Sequence, residues 1–82
     1  MKDKVIGLKN DVKAYVLDEL DYNNRKFIFV IELDKEDNPI DDSYKQLELK
    51  IINDELIIDD IDDFEIASVV NNLFLSRMAN EE

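Results

Sequence analysis

Apolar and polar positions in the middle of the chain predict an antiparallel sheet. Residues 26–33, KFIFVIEL, are apolar at both odd and even positions, as in a central strand covered on both faces. Residues 44–52, YKQLELKII, alternate cleanly, as in a strand with one buried face. The alternation predicts three core residues, Leu47, Leu49 and Ile51, and three solvent-facing residues, Gln46, Glu48 and Lys50.

The segment before the central strand predicts the first arm of a β-hairpin. Residues 13–20, KAYVLDEL, lead into DYNNR, a turn sequence whose two asparagines tolerate a left-handed backbone. A helix over residues 11–20 is the alternative, because Val12, Val16 and Leu20 are spaced four apart. The tyrosine, the two valines and the turn chemistry favour the strand.

The remaining segments complete the prediction of an α+β fold. Residues 34–43, DKEDNPIDDS, predict a polar loop, and Asn53-Asp54 predicts a turn before a short strand over residues 55–58. Residues 4–8 predict an edge strand, with residues 1–11 as a loose N-terminus in the alternative. We therefore expect one domain over residues 1–82. It comprises an antiparallel meander of four to five strands, with residues 12–58 as the β-meander and residues 4–8 as the edge strand, and one C-terminal helix over residues 62–79, packed on one face.

The acidic run IIDDIDDFEI, residues 57–66, contains a helix start signal. With Asp62 at the N-cap, Glu65 occupies N3 and completes a capping box. Ile61 and Ile66 then occupy the two positions of a hydrophobic staple. Asp59 and Asp60 precede this signal, and we expect them to be solvated loop carboxylates, as the simplest interpretation.

The predicted helix carries an apolar arc about twice as wide as packing on one flat sheet requires. One explanation is that the sheet curls around the helix, or that the N-terminal segment covers the far side of the helix. The other is that three residues face outward and bind a partner protein or a second copy of the chain. Those candidate partner-binding residues are Phe64, Asn71 and Leu75.

Composition argues against most catalytic chemistry. The 82 residues include no Cys and no His, which removes thiolate nucleophiles, the commonest general base and the commonest transition-metal ligand. The single Gly excludes glycine-rich phosphate loops, and no segment fits an EF-hand loop. We therefore expect no enzymatic activity, no cofactor and no metal site. No apolar run is long enough to span a membrane, and we expect a cytoplasmic protein without membrane association.

The charge is strongly negative and unevenly placed. The net charge is −11, and residues 32–82 hold sixteen of the 21 acidic residues. This charge repels nucleic acid and attracts basic proteins. It suggests an acidic surface that either keeps the protein soluble or imitates the phosphates of a nucleic acid. The candidate residues are Asp34, Glu36, Asp37, Asp41, Asp42, Asp59, Asp60 and Asp63.

The order of these features resembles the YrzB-like family of small acidic bacterial proteins. The resemblance covers about residues 12–75: a hairpin, AYVLDELDYNNRKFIFVIEL; an alternating strand, YKQLELKII; an acidic cap, DELIIDDIDDFEI; and a helix ending NNLFL. This chain departs from the family pattern at Phe64, where Trp is common, and at Asn71, where an apolar residue is usual. The resemblance implies the α+β architecture and carries over no activity, substrate or site.

The sequence therefore predicts a non-enzymatic, cytoplasmic module for protein–protein interaction or regulation. Its partner is expected to be a protein with a basic surface, and a homodimer through the C-terminal helix is a further possibility. The alternative function is an acidic inhibitor that occupies the basic groove of a nucleic-acid-binding protein.

Overall fold

The computed structural model describes residues 2–80 and contains one five-stranded antiparallel sheet and one helix. The elements are β1 Val5–Gly7, β2 Lys13–Tyr22, β3 Arg25–Leu33, β4 Pro39–Ile52, β5 Glu55–Asp60 and α1 Phe64–Asn80. The strands lie side by side in chain order, so β1 and β5 form the two edges. The predicted α+β meander is confirmed, and the helix alternative for residues 11–20 is wrong.

The two tight hairpins use the turn residues that the sequence indicated. Asn23 and Asn24 connect β2 to β3 with φ values of 56° and 62°. Asn53 and Asp54 connect β4 to β5 with φ values of 52° and 65°. Positive φ at both central residues is the geometry whose twist matches that of the flanking strands, and Asn and Asp adopt it at low cost.

Strand β3 is the centre of the molecule and carries a core cluster on each face. Phe27 and Phe29 pack against α1, together with Leu20 from β2. Ile28 and Val30 belong to the opposite cluster, whose buried members also include Ala14, Val16 and Leu47. The expected central strand covered on both faces is therefore confirmed.

A β-bulge at Leu17 lets β2 contribute to both clusters. Val16 pairs with Val30, but Asp18 pairs with Phe29, so Leu17 is the extra residue. Val16 packs in the helix-free cluster, whereas Leu17 and Leu20 pack beneath the helix. The inserted residue reverses the alternation of side chains between Val16 and Asp18.

Strand β4 is longer than predicted, which corrects the expected loop over residues 34–43. The strand begins at Pro39, which pairs with Leu33, and the loop shrinks to residues 34–38. A register shift accommodates Asp42, whose φ is 62°. The Ser43 hydroxyl accepts a hydrogen bond from the Glu32 N–H at 2.9 Å, which ties this irregular part of β4 to β3.

The predicted faces of β4 are also partly wrong. Leu47 is buried as expected, but Ile51 lies near the end of the strand and is 77% exposed. Glu48 was predicted to face water, yet it is 4% exposed, because it lies on the helix-bearing face of the sheet, where Arg25 binds its carboxylate. Gln46 is half-buried on that same face.

The helix begins one residue later than the capping box predicted. The Asp63 carboxylate accepts hydrogen bonds from the N–H groups of Glu65 at 2.9 Å and Ile66 at 3.2 Å, so Asp63 is the N-cap. Glu65 therefore lies at N2, and the predicted box is wrong. The predicted staple positions are wrong too, although Ile61 and Ile66 both pack into the helix-side cluster.

The N-terminal segment packs away from the helix. The predicted edge strand is present as β1, followed by a 3-10 turn at Lys9–Asp11. Ile6 and Leu8 pack against the helix-free cluster, so this segment does not cover α1. Within residues 2–80, no helix is both long enough and apolar enough to cross a membrane.

Candidate partner-binding groove

The helix-bearing face of the sheet is wider than the helix. Phe27, Phe29, Ile31 and Leu33 share this face of β3, and the first and last are about 20 Å apart at 3.3 Å per residue. A helix with its side chains is about 10–12 Å wide. Val70 and Phe74 of α1 pack over Phe27 and Phe29, and the Ile31–Leu33 end of the same face is left beside the helix.

The part of this face beside the helix forms an apolar groove, called the groove below, in whose lining Ile31 and Leu33 are largely buried, at 7% and 8% exposure. Its volume is about 690 Å³, within the range of ligand and peptide sites. Three charged residues, Lys13, Asp37 and Asp41, stand among its lining residues. The apolar lining comes from four strands and comprises Val5, Tyr15, Leu17, Ile31, Leu33, Pro39 and Tyr44.

Tyr44 connects the groove to the core. The Phe29 ring stacks on Tyr44, with centroids 5.5 Å apart and planes inclined by 7°, and also stacks on Phe74 at 5.2 Å and 22°. Tyr44 is nevertheless 49% exposed. An aromatic ring that is half in the core and half in solvent is held in place before binding, so little side-chain freedom is lost when a partner covers it.

The predicted helix strip lies on one flank of α1. At 100° per residue, Phe64, Asn71 and Leu75 fall within about 40° of one another around the helix. Leu75 is 50% exposed, and Phe64, the first helical residue, is 85% exposed. Two of the three predicted partner-binding residues, Phe64 and Leu75, are therefore open to solvent, whereas the core-facing arc of α1 is centred on Val70 and Phe74.

Asn71 differs from the other two strip residues. Its side chain is half-buried, and its carbonyl oxygen accepts a hydrogen bond from the Gln46 amide at 2.5 Å. Gln46 and Tyr44 are two residues apart and share one face of β4. Asn71 thus fixes the strip-bearing flank of α1 next to Tyr44, and Leu75 follows one helical turn later on the same flank.

The β3–β4 loop, residues 34–38, and the start of β4 place acidic residues at the groove. Asp37 and Asp41 line it directly, while Asp34, Glu36 and Asp42 are exposed close by in the chain. Some of these carboxylates also shape the loop, since Asp34 accepts hydrogen bonds from the N–H groups of Glu36 and Asn38, each at 2.9 Å. Asp37 forms an ion pair with Lys13, which joins the loop to β2.

The other predicted acidic residues lie elsewhere. Asp59 and Asp60 belong to β5 and not to a loop, which corrects the sequence interpretation. Asp60 pairs with Leu47, about 16 Å along β4 from Asp42 at 3.3 Å per residue. The acidic residues therefore form two groups instead of one continuous ridge, with Asp63 used as the helix cap.

Two buried carboxylates are held by arginines and support the fold beneath the helix. Arg25 donates to Glu48 from Nε at 2.7 Å and from Nη2 at 2.5 Å, and this hydrogen bonding lowers the pKa of Glu48 despite its burial. Asp18 lies 3.2 Å from Arg77 Nε of α1. Arg77 also donates to the Glu19 carbonyl oxygen at 2.9 Å, which fixes the end of the helix on β2.

Near β1, a side-chain hydrogen bond holds Tyr15, one of the groove-lining residues. The Tyr15 hydroxyl donates to the Asp3 carboxylate at 2.8 Å, and this hydrogen bond raises the pKa of Tyr15. Among residues 2–80, no three acidic side chains are grouped so that they could hold a metal ion.

Sequence reasoning did not identify the groove, although one signal was present. Four apolar residues on one face of β3 exceed what a single helix can cover, as the widths above show. The contributions of Val5, Tyr15 and Pro39 had no such signal, because they depend on which strands become neighbours.

Comparison of the chain with protein-family models, with curated proteins and with solved structures found no match in any of the three. The resemblance to the YrzB-like family therefore stays a prediction, and the proposals below rest on the geometry alone.

Proposed function

We propose that the protein is a non-enzymatic interaction module that binds a basic, amphipathic segment of a partner protein in the groove. The observation that carries the proposal is the position of the groove. Asp37, Asp41 and the exposed ring of Tyr44 line it, and the hydrogen bond between Asn71 and Gln46 holds the helix flank that carries Leu75 two residues along β4 from Tyr44. A cytoplasmic location is part of this proposal.

The apolar lining supports tight contact. Exposed apolar surface that is contiguous and rimmed by charge is typical of protein contact sites. Tyr44 and Leu75 would each lose the half of their surface that is now exposed. Covering such surface contributes about 25 cal/mol per Å², so a few side chains of this size provide the central contacts of an interface.

The charge supports a basic partner over a second copy. Asp41 stands at the groove beside the Lys13–Asp37 ion pair, and the whole chain carries −11. Two copies would repel each other, whereas lysines and arginines on a partner would be attracted during approach. The homodimer through α1 predicted from sequence is thus the less supported occupant, and sedimentation of the purified protein decides it.

The nucleic-acid-mimic function receives less support from the geometry. A mimic presents negative charges in a continuous row to match phosphates, and the acidic residues here form two groups separated along β4. The mimic remains a distinct outcome of the experiment below.

The experiment compares two lysine substitutions on opposite flanks of one helix. Leu75→Lys lies on the strip beside the groove, whereas Leu73→Lys lies on the other flank and has a similar exposure, 39% against 50%. Wild type and both variants are used to capture proteins from a host lysate at low and high salt, with quantitative mass spectrometry.

We expect a basic partner that wild type and Leu73→Lys retain and that Leu75→Lys loses by about tenfold or more, the change that removing about 1.4 kcal/mol of apolar contact produces. High salt should weaken this binding without abolishing it, because apolar burial is not screened. Equal capture by both lysine variants would contradict the proposal. Capture that salt abolishes and added DNA displaces would instead support the mimic.

A further inference from the structure

A second surface lies on the helix-free side of the sheet, between its two edges. The segment Gly7–Asn10 approaches one side of a cleft of about 500 Å³, and Leu56 to Asp60 form the other side. This space is called the cleft below. Its apolar lining includes Leu8, Val12, Leu47, Leu56 and Ile58. The cleft is separate from the groove, which faces the helix side.

The edge strand β5 presents backbone groups beside this cleft. In a hairpin with a two-residue turn, the residues flanking the turn form a hydrogen-bonded pair, and bonded and non-bonded pairs then alternate. Ile52 and Glu55 flank the turn, so Glu55, Ile57 and Asp59 direct their N–H and C=O groups toward β4. Leu56, Ile58 and Asp60 therefore direct theirs toward the outer edge.

A hydrogen bond outside the ladder agrees with this assignment. The Asp60 N–H donates to the side chain of its neighbour Asp59 at 2.9 Å, as expected for an N–H that does not face β4. That contact satisfies the last outward N–H of the strand. Within residues 2–80, no strand pairs with the outer edge of β5, so Leu56 and Ile58 present outward backbone donors and acceptors.

The opposite edge of the sheet is less suited to adding a strand. Strand β1 has three residues and is followed directly by the 3-10 turn. The Leu8 N–H donates to the Val12 carbonyl at 2.6 Å, so the chain closes on itself there. Strand addition is therefore expected at β5, which is twice as long and carries apolar side chains toward the cleft.

The negative charge of β5 favours a basic partner strand over a second copy of β5. Strand β5, ELIIDD, carries three acidic residues and no basic one. If two copies paired antiparallel through β5 with Leu56 opposite Ile58, Glu55 would stand opposite Asp59 in both directions, which like charge disfavours. The cleft also holds two lysines: Lys45 lies 3.5 Å from Glu32, and Lys9 lies on the opposite side, next to β1. The acidic residues of β5 itself therefore favour a partner strand that bears lysine or arginine.

We propose that the outer edge of β5 pairs with an extended, basic segment of a partner protein, which adds a sixth strand and places alternate apolar side chains in the cleft. This is recognition by strand addition, in which backbone hydrogen bonds provide affinity and side-chain pockets provide selectivity. It concerns a different surface and a different partner conformation from the groove.

The test uses a short peptide of alternating lysine and valine as the probe. The control peptide has the same charge, with proline in place of valine, and cannot form the strand hydrogen bonds. Hydrogen exchange of individual amides is measured by NMR with each peptide. We expect the Leu56 and Ile58 amides to exchange about tenfold more slowly with the first peptide, and the Ile57 amide, already bonded to β4, to change little.

Two matched substitutions test which face of the sheet the peptide side chains contact. Leu56→Lys places a charge in the cleft, whereas Ile52→Lys makes the same change on the other face at a similar exposure, 52% against 49%. We expect Leu56→Lys to weaken peptide binding by about tenfold and Ile52→Lys by less than about twofold. Amide spectra of both variants confirm that each remains folded.

The inference is overturned if the valine peptide leaves the Leu56 and Ile58 amides unprotected, or if both peptides protect them equally. Peptide-induced changes at Tyr44 in place of β5 would overturn it as well, while leaving the groove proposal intact. Because Leu75 lies on the groove side and not at β5, Leu75→Lys should bind this peptide as tightly as wild type does. The strand-addition proposal can therefore hold even if the groove proposal fails.

Discussion

The helix start offers a sharp test of the structure, because neighbouring aspartates have different roles there. Asp63 accepts hydrogen bonds from two backbone N–H groups at the start of α1. Asp62 makes no comparable cap, and its exposed carboxylate lies 3.7 Å from Arg25 Nη2. The substitution Asp63→Ala removes the acceptor, and Asp62→Ala makes the same chemical change one residue earlier.

The expected effect follows from the loss of a capping acceptor. Replacing an N-cap Asp by Ala costs about 1 kcal/mol in the free energy of unfolding. In a domain of this size, 1 kcal/mol lowers Tm by about 4–8 °C. Asp62→Ala should lower Tm much less, since exposed ion pairs contribute little. Asp63→Asn should stay close to wild type, because Asn caps about as well as Asp.

Thermal unfolding followed by circular dichroism measures all three variants under one set of conditions. The reasoning is refuted if Asp62→Ala lowers Tm as much as, or more than, Asp63→Ala, since the helix would then begin where the capping-box pattern placed it. A large loss in Asp63→Asn would show that charge, not hydrogen bonding, matters at this position.

Three further predictions concern the core, a buried carboxylate and a turn. Phe74→Ala should cost about 3–5 kcal/mol by urea denaturation, whereas Phe64→Ala should change stability by less than about 0.5 kcal/mol, because only Phe74 is buried. The pKa of Glu48 is lowered in the folded state, so its stabilising contribution is present above the unfolded pKa, about 4.3, and is lost as pH falls through the folded pKa. The free energy of unfolding of wild type, measured by urea denaturation, should therefore fall toward that of Glu48→Gln as pH falls below about 4. A difference between the two proteins that does not change with pH would contradict this. Asn24→Gly should raise Tm, and Asn24→Val should lower it, because φ at this position is 62°.

The parts of the fold that depend on local chemistry were predictable from the sequence. Asn23-Asn24 and Asn53-Asp54 were identified because few residues other than Gly, Asn and Asp adopt a left-handed backbone at low cost. Strand β3 was identified because apolar residues on both faces leave no other common explanation.

The errors have physical reasons. The sequence predicted Asp62 as the N-cap because Glu65, three residues later, completes a capping box, whereas in the structure the neighbouring Asp63 accepts the capping hydrogen bonds. Glu48 follows the polar alternation, yet its carboxylate is buried because Arg25, 23 residues away, reaches it. The groove depends on how far one helix extends across the sheet, which is a property of packing and not of any single segment.

The most direct test of the groove as the contact surface is oxidative footprinting of side chains in host extract, compared with the purified protein. Tyr44 and Leu75 are the reporters, and Leu73, on the other flank of the same helix, is the internal reference. The groove proposal predicts that Tyr44 and Leu75 become less reactive in extract while Leu73 does not change. Undiminished reactivity at Tyr44 and Leu75, or equal protection of Leu73, would contradict it.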